Sequence, residues 1–288
     1  MPELPEVEVV KRSLKSSIRH LTIKKVTINT NKLRYFIKKK HFNKIINKKI
    51  LSIKRRSKYI LINLSSNLSL LAHLGMTGKF IIENNTGIKN KTSFYYEINK
   101  NDQKHNHLIF HLSQNKKLIY NDVRKFGFIK IINSKNIQKN DHIRLLGPEP
   151  LSNNFNLKYF KHCIVSKKRK LKDLLMDQKF VSGLGNIYVN EVLFLSKLDP
   201  TRPVNTLKPL DIVKILNFIK KILKLSIKKG GSSIKNFNNS NGKNGEFQQQ
   251  FNVYGRAGKL CLKKQCKELI RKINISNRSS FFCASCQK

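Results

Sequence analysis

Residues 1–10 read MPELPEVEVV: a proline follows the initiator methionine, and Glu3 and Glu6 fall within the next four positions. In a chain of 288 residues with 59 Lys+Arg against 16 Asp+Glu, two acids beside the amino terminus stand out. The stretch predicts an amphipathic helix over 3–19, with Pro2 at its start, acids in the first turn to complement the helix dipole, and Lys11, Arg12, Lys15 and Arg19 further along. The small side chain of proline also permits removal of Met1. That would expose a secondary amine with a free pKa of about 8, partly neutral at physiological pH and able to act as a nucleophile. Helix start and nucleophile are both open on these residues alone.

Beyond the helix come short segments rich in apolar and β-branched residues: LTIKKVTI, YILINL, LSLLAHL, KFIIE, SFYYEI, HLIFHL, KLIY and GFIKII. Asn, Ser, Gly and Lys clusters separate them, so residues 20–132 read as an antiparallel sandwich or barrel. GPEPL at 147–151 reads as a linker or turn, and helical periodicity follows, strongest in LDIVKILNFIKKILKLSIKKGG at 210–231. There Leu210, Val213, Leu216, Phe218 and Ile222 fall near one face, and Gly230 and Gly231 stop the helix. The polar stretch that follows has the length of a functional or disordered loop.

A formal net charge of +43 exceeds what solubility requires. Nucleic acid is the expected partner, because Lys and Arg contacts to phosphate release condensed counterions. The competing reading is compositional bias, since Lys, Asn and Ile are abundant throughout and lysine is readily solvated. A hydrophobic fraction of 39% argues for a folded chain. There is no apolar run of bilayer length and no signal-peptide pattern, so a cytosolic location is expected.

Four of the five cysteines fall in the last 28 residues as Cys261-x4-Cys266-x16-Cys283-x2-Cys286. Two pairs around a hairpin-sized insert suit one tetrahedral zinc ion in a closed, structural site, and a cytosolic chain disfavours disulfides. Cys163 reads as a small core residue. His105 and His107 in KHNH could ligate metal, but without a nearby third ligand they read as polar surface residues. SGLGN is neither a dinucleotide fingerprint nor a phosphate loop, and no G-x-S-x-G element occurs.

In order and spacing, PELPEVE (2–8), RRSKYI (55–60), HLGMTG (73–78), DVRKFG (122–127), LGPEPL (146–151), GLGNIYVNE (183–191), VYGR (253–256) and the terminal cysteines span the chain. Together they resemble the formamidopyrimidine-DNA glycosylases, bacterial base-excision repair enzymes. The resemblance implies an α+β fold: an N-terminal helix-capped antiparallel β-sandwich (1–133), a helical domain with a helix–two-turn–helix and a lesion-recognition loop (134–250), and a zinc finger (251–288). It implies that Pro2 attacks the anomeric carbon of the damaged nucleotide, that Glu3 donates and shuttles protons, and that Glu6 holds their geometry. Lys58 would contact a flanking phosphate and polarise the site.

Met76, Arg124 and Phe126 match the residues that fill the gap left by an extruded nucleotide. Lys125 stands where arginine is more usual, keeping the charge but losing the fork. Asn186, near a helix start, would bond phosphate; Arg278 would grip phosphate from the finger; His105 and Lys168 complete the implied DNA-binding set. The loop near 232–247 would close over the extruded base, although its KNGEF departs from the commoner glycine-aromatic pattern. The first cysteine pair has four intervening residues where two are usual. The implied partner is double-stranded DNA carrying oxidised purines, met by a monomer with one zinc ion and no membrane role. Two other functions stay open: an endonuclease VIII-like glycosylase for oxidised pyrimidines, and a catalytically silent DNA-binding protein. The PELPEVE start and DVRKFG argue against the first, and intact Pro2, Glu3, Lys58 and Arg278 against the second.

Overall fold

A computed structural model describes residues 1–93, 96, 100–232 and 251–288. The chain forms two compact units, Met1–Arg144 with Gly230–Glu246 and Leu145–Lys229 with Phe247–Lys288.

The first unit opens with helix α1, Leu4–Ile18. Glu3 is its N-cap, held extended at φ −100° and ψ −173°, and Pro5 sits in the first turn. Pro2 therefore precedes the helix instead of starting it. Val7, Val10, Leu14 and Ile18 form the buried stripe of α1. The elements that follow are β1 (Ile23–Ile28), α2 (Lys39–Asn43), β2 (Ile50–Arg56), β3 (Tyr59–Leu64), β4 (Leu68–His73), β5 (Lys79–Glu83), β6 (Lys89–Lys91), β7 (Asn106–Leu112), β8 (Lys117–Asn121) and β9 (Phe128–Asn133). The strands make two antiparallel sheets, ordered β1-β7-β8-β5-β6 and β2-β3-β4-β9. Ile60, Ile62 and Leu64 from the second sheet share one core with Leu108, Phe110 and Leu112 from the first and with the α1 stripe. This is the expected helix-capped sandwich.

Strand β2 carries no alternation in its sequence. A register shift between Ile50 and Ser52 brings Ile50 and Ile53, three apart, to the core, and such a bulge erases the period-two signal. Of SFYYEI, Phe94, Tyr95, Glu97 and Ile98 lie outside the described residues.

The second unit holds α3 (Leu157–Ile164), α4 (Leu171–Met176), α5 (Asn186–Ser196), α6 (Pro209–Lys228) and the hairpin β10 (Arg271–Ile275) and β11 (Arg278–Phe282). Helix α6 ends where expected, with Gly230 and Gly231 at φ 80° and 88°. Its face differs from the expected one. Ile212, Ile215, Leu216, Ile219, Ile222 and Leu223 are buried, while Leu210 and Val213 are exposed and Phe218 is half-buried. The denser isoleucine row sets the phase. The turns between α4 and α5 are pinned by Gln178, whose side chain accepts from the Gly183 N–H at 2.8 Å and donates to the Leu184 carbonyl at 2.8 Å. Among the described residues no helix is long and apolar enough to cross a membrane.

Candidate active site

The amino terminus is a point where burial and charge meet. Pro2 and Glu3 are buried, and Met1 is exposed. With Met1 present, the Pro2 nitrogen is an amide and the amine belongs to Met1. Burial lowers that amine's pKa from 8.0; Glu3 and Glu6 pull it back up, and Lys58 and Arg124 push it further down. All four expected side chains thus act on one nitrogen.

Glu6, fully buried, fixes this end of the helix. Its Oε2 accepts from the Glu3 N–H at 2.9 Å, the reciprocal half of a capping arrangement. Its Oε1 accepts from the Ser232 N–H at 2.8 Å and the Ser232 hydroxyl at 2.9 Å. Gly231, at φ 88°, lets the backbone approach, because a Cβ there would sit 3.1 Å from Glu6 Oε1. Glu6 therefore ties the amino terminus to the first residue of the expected lesion loop; the rest of that loop, 233–247, lies outside the described residues.

Lys58 occupies the tip of the β2–β3 hairpin, in a two-residue loop between the paired Arg56 and Tyr59, with Ser57 at φ 54°. It is only 6% exposed, so it is no ordinary surface lysine. Arg55 anchors the hairpin, donating to the Ser57 carbonyl and to Glu8 Oε2, both at 2.9 Å.

Met76, Arg124, Lys125 and Phe126 lie on two loops that meet backbone to backbone. A Cβ on Gly75 would sit 2.5 Å from the Gly127 nitrogen, and one on Gly127 would collide with the Tyr120 hydroxyl. Buried Asp122 locks the pair, accepting from the Thr77 hydroxyl at 2.5 Å and the Gly127 N–H at 2.8 Å. The Thr77 hydroxyl in turn accepts from the Arg124 N–H at 3.0 Å. Met76 and Phe126 are left 44% and 47% exposed, which a core role does not explain. The Arg124 guanidinium lies over the Phe126 ring at 4.5 Å. Lys125 takes φ 55° and is exposed. His105 is half-buried at the edge of the same region. His107, expected on the surface, is instead buried, with Nε2 2.9 Å from the Asp122 carbonyl oxygen.

Several residues that hold these positions escaped the sequence reading, among them Thr77, Asp122, Ser232 and His73. His73 Nδ1 accepts from the Gly75 N–H at 3.1 Å, and its ring stacks on Phe128. Burial first, then Lys58, Arg34 and His142, lower its pKa to about 4. Three of the four sit inside or beside quoted motifs, but buried polar anchors carry no periodic signal.

In the second unit, Asn186 opens α5 and its Nδ2 donates to the Ser279 carbonyl at 2.9 Å. Fully buried Lys172 donates to the same carbonyl at 2.9 Å and to the Ser280 hydroxyl at 2.6 Å. Both steady the strand that begins at Arg278. Arg278 itself is exposed, just past a two-residue hairpin loop in which Ser276 and Asn277 take φ 47° and 60°. Lys168 is exposed in the loop before α4, and Cys163 is half-buried in α3. Glu191 accepts from the backbone N–H groups of Asn252, Val253 and Tyr254 at 2.8–3.0 Å, fixing the chain that leads into the finger.

The four terminal thiols converge. Sγ separations are 3.6 Å for Cys266–Cys283, 3.6 Å for Cys266–Cys286 and 4.0 Å for Cys261–Cys286, and all four lie within 4.8 Å. A disulfide needs about 2.05 Å. A tetrahedron with metal–sulfur bonds of about 2.3 Å has edges of about 3.8 Å. The donor set fits zinc, and the longer knuckle does not prevent closure.

Residues 1–129 match a family model for the formamidopyrimidine-DNA glycosylase N-terminal domain, and residues 146–238 one for the formamidopyrimidine-DNA glycosylase H2TH domain. A formamidopyrimidine-DNA glycosylase of Rickettsia bellii is 41% identical over 288 residues, covering all of both chains. One from Roseobacter denitrificans is 35% identical over the same span, again with full coverage. The fold matches a Lactococcus lactis FPG mutant in complex with DNA containing Fapy-dG, at TM-score 0.85 and 32% identity over the whole of both chains. It also matches a Lactococcus lactis Fpg in complex with DNA containing an abasic site, at TM-score 0.83 and 33% identity over 99% of each chain.

Proposed function

The chain belongs to the formamidopyrimidine-DNA glycosylase family, and on that premise we propose that it excises oxidised purines from double-stranded DNA and then cleaves the strand as an abasic-site lyase. The substrates are 8-oxoguanine opposite cytosine and ring-opened formamidopyrimidines. The observation that carries the reading is that the charges of Glu3, Glu6, Lys58 and Arg124 all bear on the terminal amine, next to buried Pro2 and Glu3. After Met1 is removed, the Pro2 nitrogen attacks C1′ of the extruded nucleotide. The base leaves, Glu3 protonates the opening sugar, and an iminium joins Pro2 to the strand. Loss of a C2′ proton expels the 3′ phosphate, and a second elimination expels the 5′ phosphate. Attack requires the neutral Pro2 amine, whose lone pair is then available, and the acids stabilise the cation that follows.

Met76 and Phe126 fill the vacated stack, and Arg124 bonds the orphaned cytosine. Lys58, His105, Lys125, Lys168, Asn186 and Arg278 contact the DNA, chiefly its backbone, and position without reading sequence. We assign catalysis to 1–133, recognition to 134–250 and the finger to 251–288, in a monomer of the bacterial cytosol. Cys261, Cys266, Cys283 and Cys286 would hold one zinc ion, which supplies folding energy to the finger.

Borohydride trapping tests the reading. Processed protein incubated with an 8-oxoguanine duplex should yield a cross-link that maps to Pro2, and the Met1-retaining chain should yield none. Preferential trapping on an oxidised-pyrimidine duplex would move the chain to the endonuclease VIII-like reading. Equal trapping by the Met1-retaining chain would remove Pro2 as nucleophile.

A further inference from the structure

Helix α1 has a second polar face that the amino-terminal site does not use. Glu8, Lys11, Lys15 and Arg19 recur at steps of three and four residues and fall within an arc of about 80°. They line an open groove of about 500 Å3 whose other wall is Ser52, Ile53, Lys54 and Arg55 of β2. Five cations thus face one carboxylate in a channel about 16 Å long, at 1.5 Å per helical residue.

The carboxylate organises the inner end. Glu8 Oε1 accepts from Lys11 at 2.7 Å and its Oε2 from Arg55 at 2.9 Å, so these cations are held in place and part of their charge is answered. At the outer end Arg19 donates from Nε to the Leu51 carbonyl at 3.3 Å and is otherwise exposed. Lys15 and Lys54 are exposed and have no acidic partner among the described residues. Lys11, Lys15 and Arg19 step along the helix about 6 Å at a time, comparable with the spacing of phosphates on a nucleic-acid strand. The lining holds no aromatic ring on which a base could stack and no pocket closed enough to enclose one.

We propose that the α1–β2 groove is a second, non-catalytic site for the sugar-phosphate backbone of nucleic acid, with Lys15, Arg19 and Lys54 making its phosphate contacts. The site rests on the reading of this chain as a DNA-binding enzyme. Its outer end lies about 20 Å along the helix from the amino terminus, about six base pairs of duplex, so it engages backbone away from the lesion. It gives part of the +43 charge a place to act. The contacts are independent of sequence and lesion, and they retain the enzyme on undamaged DNA.

The test is the salt dependence of binding to an undamaged duplex, measured on the full chain, on a Lys15→Ala/Arg19→Ala/Lys54→Ala variant, and on a Lys214→Ala/Lys221→Ala/Lys224→Ala control. The control removes the same charge from exposed positions on α6. With about −0.9 per phosphate in the log–log slope, the groove variant should be shallower than wild type by about 2–3 units and the control unchanged. Single-turnover excision at saturating enzyme should be equal in all three. Equal slopes for wild type and groove variant, or equal flattening in groove variant and control, overturn the site. Titration with inorganic tripolyphosphate separates a free polyphosphate from DNA: binding that is lost in the groove variant, with DNA slopes unaltered, overturns the nucleic-acid assignment. A wild-type chain that leaves low-salt DNA unbound removes the DNA-binding reading and the groove site together. A groove that fails while wild type binds leaves that reading standing.

Discussion

Met76 and Phe126 stand on loops of the sandwich fixed by glycine contacts and by Asp122, above a core shared by two sheets and a helix. Arg278 stands on a hairpin of five-residue strands whose main apolar support is Phe194, Val253, Cys261, Ile270 and Cys283. In the first region a large core pays for buried polar anchors, and the protein alone fixes the exposed side chains. In the second the buried groups include the thiols themselves, so the geometry depends on what the thiols hold.

Metal removal should sharpen that contrast most strongly. Structural zinc contributes on the order of 10–16 kcal/mol of apparent binding energy in small fingers, far more than two short strands supply. After chelation, or in Cys283→Ser, amide protection over Arg271–Phe282 should be lost while that over Tyr59–Leu64 persists. Hydrogen exchange reads both regions at once. A finger that keeps its protection without metal would show that packing alone suffices there.

The sandwich has its own vulnerable point. Asp122→Ala strands the Thr77 hydroxyl and the Gly127 N–H. With bonds to charged acceptors worth about 1.5–3 kcal/mol each, the loss should be about 3–6 kcal/mol, read as a lower thermal midpoint of the sandwich with the metal content unchanged. A loss under about 1 kcal/mol would mean the glycine contacts hold the loops without it.

These two regions were not equally legible in sequence. Cysteine spacing predicts the converging thiols directly, because ligand geometry constrains spacing. The strands of the sandwich are visible where apolar and β-branched residues cluster, as in YILINL, whereas β2, polar beyond Ile53 and with its two buried isoleucines three apart across a bulge, gives no such cluster. The amino-terminal constellation is harder. Glu3 and Glu6 lie three residues apart, but Lys58 and Arg124 bear on the same amine from a separate hairpin and loop; the resemblance brought Lys58 to this site and gave Arg124 a different place, in the gap left by the extruded nucleotide. Ser232, which meets Glu6 across 226 residues of chain, and His107, buried against Asp122, had no signal at all. Polar anchors are chosen by three-dimensional proximity, which a local pattern does not encode. The α6 face was misplaced for a simpler reason: the expected face included Leu216 and Ile222 but left out Ile212, Ile215 and Ile219, which set the helix phase.

Acidification should affect the sandwich through His73. Its folded pKa of about 4 lies below the ordinary 6.5, so the unfolded chain binds the proton first and stability falls as pH drops from 6.5 toward 4. The shift corresponds to about 3 kcal/mol at most. Protonation also removes the acceptor for the Gly75 N–H, loosening the turn that carries Met76. In His73→Asn, which can still accept that bond, the midpoint should fall less steeply over this window than in wild type. Identical pH profiles would place the acid sensitivity elsewhere.

The smallest expected effect probes the amino terminus without using catalysis. In the Met1-retaining chain the amine's pKa is lowered chiefly by burial, with Glu3 and Glu6 opposing and Lys58 and Arg124 reinforcing the shift. Lys58→Met removes a cation that disfavours the protonated amine, so the pKa should rise. Glu3→Gln removes an acid that favours it, so the pKa should fall. The pH dependence of acylation at the terminal amine reports both, since only the neutral form reacts, and Lys58→Arg should restore the wild-type profile. Opposite displacements in the two variants would show that Lys58 and Glu3 act on the amine from opposite sides of one electrostatic balance, which is what the sandwich supplies and the finger does not. Displacements of the same sign, or none, would leave burial as the sole cause and detach Lys58 from the amine.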